Sequence, residues 1–448
     1  MKTNLEEISP VMKKLVVEIE PEEVEKKLNR AYEEIGKKAK IRGFRSGKVP
    51  RNILETYYGN QVADDVTREL ISDTFPKAVD EANTFPLGQP VFEKETIKKG
   101  KSFQYSVVME VRPQLEIRNH LGVEVKKEIL SVTEDDVLKR LEFVRKASGK
   151  MTSIDEDRPI RDGDYVIIDY EGFEDGRPLE GIKSPNLLIN IGKMDFHPKF
   201  DEDLIGLKKE DEKEISADFD RNHSNAKLAG KSVTFRVKVV DIKELEIPEL
   251  NDEFAQSLGA DLKDLEALKN DVRKSIIAEE ERRIDRELKQ RLIETISEDV
   301  DCELPQVMVD AEVDFSVSTV KANLERSGSS LENQGLSEEG LKKELRPASE
   351  RRVKDMLILS EIAKRDKITV TEDDLEDGYG NLAERTGQDL ETLKRYYEAK
   401  GNVDSLKEQL LEDKSLNYLV AHANVSEVTR EALNQEKIAE QEEQQASC

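Results

Sequence analysis

Hydrophobic residues alternate with polar ones in two runs near the start of the chain. Leu15, Val17 and Ile19 do so within residues 11–20, and Phe103, Tyr105, Val107, Met109 and Val111 do so further on. A period of two places every second side chain on one face, so each run predicts a strand with one buried side. Between the runs the period changes. Val24, Leu28, Ala31 and Ile35 recur at helical spacing behind Pro21, and Glu22 and Glu23 place acids where the helix dipole favours them. Lys37 and Lys38 close that helix with the opposite sign. A second helical region runs from about residue 50 to 83 on Val62, Val66 and Leu70, and Phe85-Pro86-Leu87-Gly88-Gln89-Pro90 breaks it. Together these elements predict a small α+β domain over residues 1–112.

Residues 113–154 read as a connector. Val123 and Val125 suggest a short strand, and Thr133 with Asp136 forms a capping pattern ahead of a helix whose face is Val137, Leu141 and Val144. Residues 155–247 turn to strands. Val166-Ile167-Ile168-Asp169-Tyr170 is one, Leu187-Leu188-Ile189-Asn190-Ile191 a second, and the alternating Val233, Phe235, Val237 and Val239 a third. Glu174-Asp175-Gly176-Arg177 marks a turn, and a short helix fits between Asp201 and Leu207. This predicts a compact, sheet-rich domain.

From residue 248 to 432 the pattern is helical. Leu265, Leu268, Val272, Ile276, Ile284, Leu288, Leu292 and Ile296 hold one stripe over about eight turns. Glu279-Glu280-Glu281-Arg282-Arg283 interrupts it, which predicts a helix standing out as an arm. Pro305 opens another helix on Val313, Val317, Val320 and Leu324, which Ser327-Gly328-Ser329-Ser330 ends. Arg346-Pro347 is expected to precede a third, with Val353, Met356, Leu357 and Ile362 inside. Residues 433–448, rich in Gln and Glu, are expected to be a disordered acidic tail. The whole reads as a multidomain α+β chain with a long all-α C-terminal part.

Charge sharpens this picture. The chain has 448 residues, a formal net charge of −26, 38% charged and 5% aromatic residues, and no Trp. Such acidity argues against general affinity for DNA or RNA, so any contact with RNA must be local. Cys302 and Cys448 are too few for a disulfide framework. The opening MKTNLEEISP has no apolar run of a signal peptide, and no stretch reaches the ~20 apolar residues of a membrane span. A cytoplasmic location with no membrane partner is expected. The four histidines, His120, His197, His223 and His422, show no metal-ligand spacing, and neither metal nor cofactor is expected.

One stretch runs against the general charge. Residues 37–51, KKAKIRGFRSGKVPR, carry Lys37, Lys38, Lys40, Arg42, Arg45, Lys48 and Arg51 and no acid. Gly43 and Gly47 permit tight turns, and Phe44 sits between them with Arg42 and Arg45 on either side. An aromatic at a loop tip is poorly placed for its own core and suits a partner. Gly43-Phe44-Arg45-Ser46-Gly47-Lys48-Val49-Pro50 resembles the ribosome-docking signature of the bacterial trigger factor family, G-F-R-x-G-K-x-P. The resemblance implies ribosome contacts by Arg42, Gly43, Phe44, Arg45, Gly47 and Lys48. Ser46 stands where a further cation is common.

The middle domain carries a second resemblance. Gly163-Asp164-Tyr165-Val166, Tyr170-Glu171-Gly172, Asp175-Gly176, Gly192, Leu204-Ile205-Gly206-Leu207, Leu228-Ala229-Gly230-Lys231 and Phe235 are similar to the FKBP-type prolyl isomerases. This implies an antiparallel β domain with one short helix and a proline pocket. Tyr170 and Phe235 would line it and Phe200 would floor it, with Phe196 and His197 just before the floor. Leu179 stands where Phe is usual, Glu180 where an acid is usual, His197 in place of Ile or Val, and His223 in place of a pocket Tyr. These departures leave the isomerase activity either full or reduced.

The order of domains resembles trigger factor along nearly the whole chain. That implies an ATP-independent chaperone at the exit tunnel of the large ribosomal subunit, contacting protein and rRNA there. It would hold nascent and unfolded polypeptides in a cradle of helical arms and serve folding and export. A homodimer off the ribosome stays open. The alternative is an enzyme first: a prolyl isomerase whose other domains only recruit substrate.

Overall fold

The computed structural model describes the chain except residues 43, 46, 47, 99, 155–157, 194, 195, 221–226, 260, 333, 447 and 448 and the side chains of 437 and 440–446. The chain divides into two compact units. One comprises Met1–Lys126, Leu288–Ser329 and Leu336–Ser426; the other comprises Lys127–Glu287, Ser330–Gly335 and Glu427–Cys448.

The first unit begins with strands β1 (Lys2–Ser9) and β2 (Met12–Ile19) and helices α1 (Pro21–Lys38) and α2 (Arg51–Glu81). Strands β3 (Val91–Lys94) and β4 (Phe103–Glu110) complete an antiparallel sheet in the order β1-β2-β4-β3. The alternation in β2 and β4 sends Leu15, Val17, Ile19, Phe103, Tyr105, Val107 and Met109 into one core with Val24 and Leu28 of α1 and Val62, Val66 and Leu70 of α2. The Tyr105 hydroxyl lies 2.8 Å from Thr74 Oγ1, so this buried polar group is satisfied. Strand β1 was not expected. Its apolar residues Leu5 and Ile8 are exposed, and an edge strand facing water has no alternation to show.

The next elements are β5 (Glu124–Glu128), α3 (Glu134–Ala147) and β6 (Lys150–Ser153). The stretch expected as a connector is bedded in its surroundings. Ile117 and Val125 join a helical core in the first unit, and Val137 and Leu141 join another in the second. Strand β6 pairs with β10 (Ser232–Glu246), so the β domain takes in residues upstream of 155. Between them come β7 (Tyr165–Glu174), β8 (Arg177–Asn190), α4 (Pro198–Leu204) and β9 (Glu212–Asp218). The sheet is antiparallel in the order β6-β10-β7-β8, with β9 also on β10.

Helices α5 (Asp252–Leu258) and α6 (Leu265–Glu298) follow. The stripe read along α6 is core. Leu268, Val272 and Ile276 pack with α3 and α5 in the second unit, and Leu288, Leu292 and Ile296 pack in the first. One face of α6 is thus packed along its length, while its other faces remain exposed. Its charged interruption is also structured: Arg283 meets Glu128, Glu280 and Glu287, and Glu128 is 7% exposed.

The helical remainder comprises α7 (Gln306–Arg326), α8 (Glu338–Arg365), α9 (Glu372–Thr386), α10 (Leu390–Lys400) and α11 (Val403–His422). Helix α8 overturns the reading of Arg346-Pro347 as a start. It begins nine residues before Pro347, where Ser337 accepts from the Gly340 amide and Glu338 and Glu339 fill the first turn. The helix packs on both sides of the proline, with Leu341 and Val353 buried, and Arg346–Asp310 and Lys342–Asp314 pair with α7 at 2.8 Å each just before it. Strand β11 (Asn424–Val428) pairs with β5, and α12 (Arg430–Ala446) occupies most of the expected disordered tail. Glu and Gln are good helix formers, and buried Leu433 ties down the first turn.

Candidate docking tip and proline pocket

The basic loop leaves α1 at Lys38 and enters α2 at Arg51. Within it the Phe44 amide donates to the Ile41 carbonyl at 3.1 Å, and the Lys48 amide donates to the Arg45 carbonyl at 3.0 Å. Phe44 is 41% exposed, and Arg42, Arg45 and Lys48 are exposed beside it. No acid among the described residues pairs with these three cations. Arg51 differs. Its guanidinium bonds Glu55 at 2.8 Å and Asn29 and lies 5.1 Å from the Tyr32 ring, so it ties the loop to the helices. Gly43 and Gly47, assigned to docking from the sequence, lie outside the described residues.

The second site lies in the β domain. Tyr170 on β7 and Phe235 on β10 come together because these strands pair antiparallel, with Tyr170 opposite Val237 and Phe235 opposite Gly172. Gly172 is required there, since a Cβ would meet Ile182 Cγ2 at 2.6 Å. Short helix α4 brings in Phe200 and is anchored by Asp201, whose Oδ2 accepts from the Gly192 amide at 2.8 Å.

The rings form one cluster of edge-to-face and tilted pairs. Phe196 lies 4.6 Å from Phe200, 5.3 Å from Tyr170 and 5.6 Å from Phe235, and Phe200 lies 5.2 Å from Phe235. Phe200 and Phe235 are fully buried and make the floor. Tyr170 and Phe196 are half-buried and present the accessible faces, and Leu179 packs against the same core. Burial pushes the Tyr170 phenol up, so it stays protonated as a donor, and no described residue accepts from it.

Other sequence assignments fare differently. Glu180 is exposed, and its carbonyl, not its carboxylate, accepts from Lys227 Nζ at 3.1 Å. The structure does not bring its side chain into the ring cluster. His223 lies outside the described residues. Phe219, missed in the sequence, stands 5.9 Å from Phe235 and 5.1 Å from His197. The alternation Ile215, Ala217, Phe219 along β9 and just past its end carries the signal.

Residues 1–144 match the family described as bacterial trigger factor protein, residues 264–421 its C-terminus, and residues 156–240 the FKBP-type peptidyl-prolyl cis-trans isomerases. The trigger factor of Geotalea uraniireducens (strain Rf4) is 34% identical over 431 residues, covering 96% of this chain and 99% of that one. The trigger factor of Caldicellulosiruptor bescii is 33% identical over 425 residues, covering 94% and 96%. A solved structure described for promiscuous substrate recognition by the trigger factor chaperone aligns over 94% of this chain and 99% of that one. Its TM-score is 0.50 at 23% identity, a likeness of fold. With identity of this order over nearly the full length of both chains, the chain belongs to the bacterial trigger factor family and carries that family's FKBP-type domain in its middle.

Proposed function

We propose that this protein is an ATP-independent chaperone of the cytoplasm that docks on the large ribosomal subunit near the exit tunnel and holds nascent chains. The observation that carries this reading is the tip: Phe44 exposed among Arg42, Arg45 and Lys48, with no acid among the described residues pairing with these cations, on a chain of net charge −26. An apolar anchor ringed by free cations suits a surface of protein and rRNA phosphate. Residues 248–432 supply the holding surface. Phe315 on α7, Tyr396 on α10 and Leu336 in the loop before α8 stand exposed, 66%, 55% and 42% respectively. Scattered single contacts of this kind hold many clients weakly, and the net charge keeps the complex in solution.

The FKBP-type domain adds prolyl isomerisation. The X–Pro bond rotates over a barrier of ~20 kcal/mol set by amide resonance. A proline ring laid against Tyr170 and Phe196 leaves water, which disfavours the charge-separated planar amide. The free Tyr170 hydroxyl can donate to a carbonyl of the twisted one. The ring cluster also supports the second reading, an enzyme whose other domains recruit substrate.

Light scattering of a refolding client separates the two. The chain lacking residues 150–246, cut so that β6 leaves with its partner β10, is expected to suppress aggregation as the full chain does while losing isomerisation. Suppression lost with that segment would favour the enzyme reading.

A further inference from the structure

His197 stands where the FKBP resemblance expects Ile or Val, and its ring makes contacts that an aliphatic side chain cannot. It is the N-cap of α4. Its Nδ1 accepts from the Lys199 amide at 3.2 Å, its Nε2 lies 3.4 Å from the Asp218 carbonyl oxygen, and its ring meets Phe219 edge to face at 5.1 Å. An amide can only donate and a carbonyl can only accept. The two contacts therefore select one form of the imidazole, neutral, with the proton on Nε2. A proton on Nδ1 would point N–H at N–H and remove the cap.

What the cap holds is the pocket itself. Helix α4 carries Phe200, and Phe196 immediately precedes the cap, with the two rings 4.6 Å apart. We propose that His197 is the positioning residue of the proline pocket, its neutral Nε2–H form fixing α4 and Phe196, so that a ring protonated on both nitrogens loses the cap and slows isomerisation. This rests on the isomerase reading of the domain. Among the described residues, the charged ones that contact the ring are Lys199 on α4 and Asp218 at the end of β9. Lys199 and Asp218 meet the ring through backbone atoms.

The test compares the full chain with His197→Asn, whose side-chain oxygen can cap without titrating. Between about pH 8 and pH 5.5 the wild type is expected to lose about fivefold in kcat/KM, and the variant to give a flat profile. An acid limb shared by both proteins would overturn the proposal. Imidazole 15N shifts of the histidine-labelled chain, with the His197 signal identified by its loss in the variant, supply a readout independent of turnover. The Nε2–H tautomer is expected, and an Nδ1–H tautomer would overturn the proposal even in an active protein. Should the wild type isomerise nothing at any pH, the isomerase reading fails by itself. Protection of the Lys199 amide then decides the role of His197: acid loss in the wild type alone supports it, and equal protection in both refutes it.

Discussion

The guanidinium of Arg158 closes on both carboxylate oxygens of Asp164, at 2.7 Å to Oδ2 and 2.9 Å to Oδ1. The Arg161 amide adds a third bond at 2.8 Å, and Asp164 is 6% exposed. Burial alone would push the carboxyl up. The bonds and charges of Arg158 and Arg161 outweigh it and hold the carboxyl below its usual value. A depressed carboxyl contributes stability above its unfolded value and loses it as pH falls through the folded one. Unfolding of the β domain should therefore become easier in acid. Arg158→Met is expected to cost about 3 kcal/mol at neutral pH, because it leaves a buried charge unpaired, and to flatten the acid dependence. Urea titrations at several pH values check both.

Tyr170→Phe is the clean probe of the pocket. Phe200 and Phe235 are fully buried, so cutting either to Ala would cost about 3–5 kcal/mol and confuse activity with folding. The Tyr170 hydroxyl bonds to no described residue, so its loss should leave stability within about 0.5 kcal/mol and lower isomerisation of a Leu-Pro peptide about tenfold. A protease-coupled assay and a melting curve measure the two. Unchanged turnover would remove the hydroxyl from the mechanism.

How far the site could be read from sequence depended on which side of each element was buried. The alternation around Leu15 and Phe103 was plain because one face of β2 and β4 is core. Strand β1 shows no such contrast, since both its faces meet water. Tyr170, Phe196, Phe200 and Phe235 were grouped through motif likeness, and the structure brings their rings together. Phe219 escaped because β9 is short and polar on every second position. Pro347 read as a helix start because the packing of α8 against α7 on either side of it is a tertiary contact that local sequence does not show. The capping role of His197 was invisible in sequence, where the residue showed only as a departure from an aliphatic pattern.

A third expectation concerns Asp355 on α8. Burial raises its carboxyl to about 6, with Glu294 adding to the rise and a hydrogen bond from Ser297 opposing it. An acid raised above its unfolded value of about 4 carries no penalty below that value and destabilises as pH climbs through the folded one. Asp355→Asn, which can keep the Ser297 bond, should raise the melting temperature at about pH 7.5 and leave it unchanged at about pH 4. Differential scanning calorimetry of the full chain at the two pH values decides it.

The central claim is that this chain works on the ribosome through its basic tip, and co-sedimentation with purified ribosomes tests it most directly. Phe44→Ala and Arg45→Ala alter exposed side chains, so both variants should remain folded. Each is expected to bind with about 2 kcal/mol less affinity, roughly thirtyfold. Wild-type binding should also weaken steeply with added salt as rRNA phosphates lose Arg42, Arg45 and Lys48. Wild-type protein in the ribosome pellet with both variants left in the supernatant is the result the account predicts. Variants that pellet as the wild type does would contradict it and reduce the tip to a linker between α1 and α2.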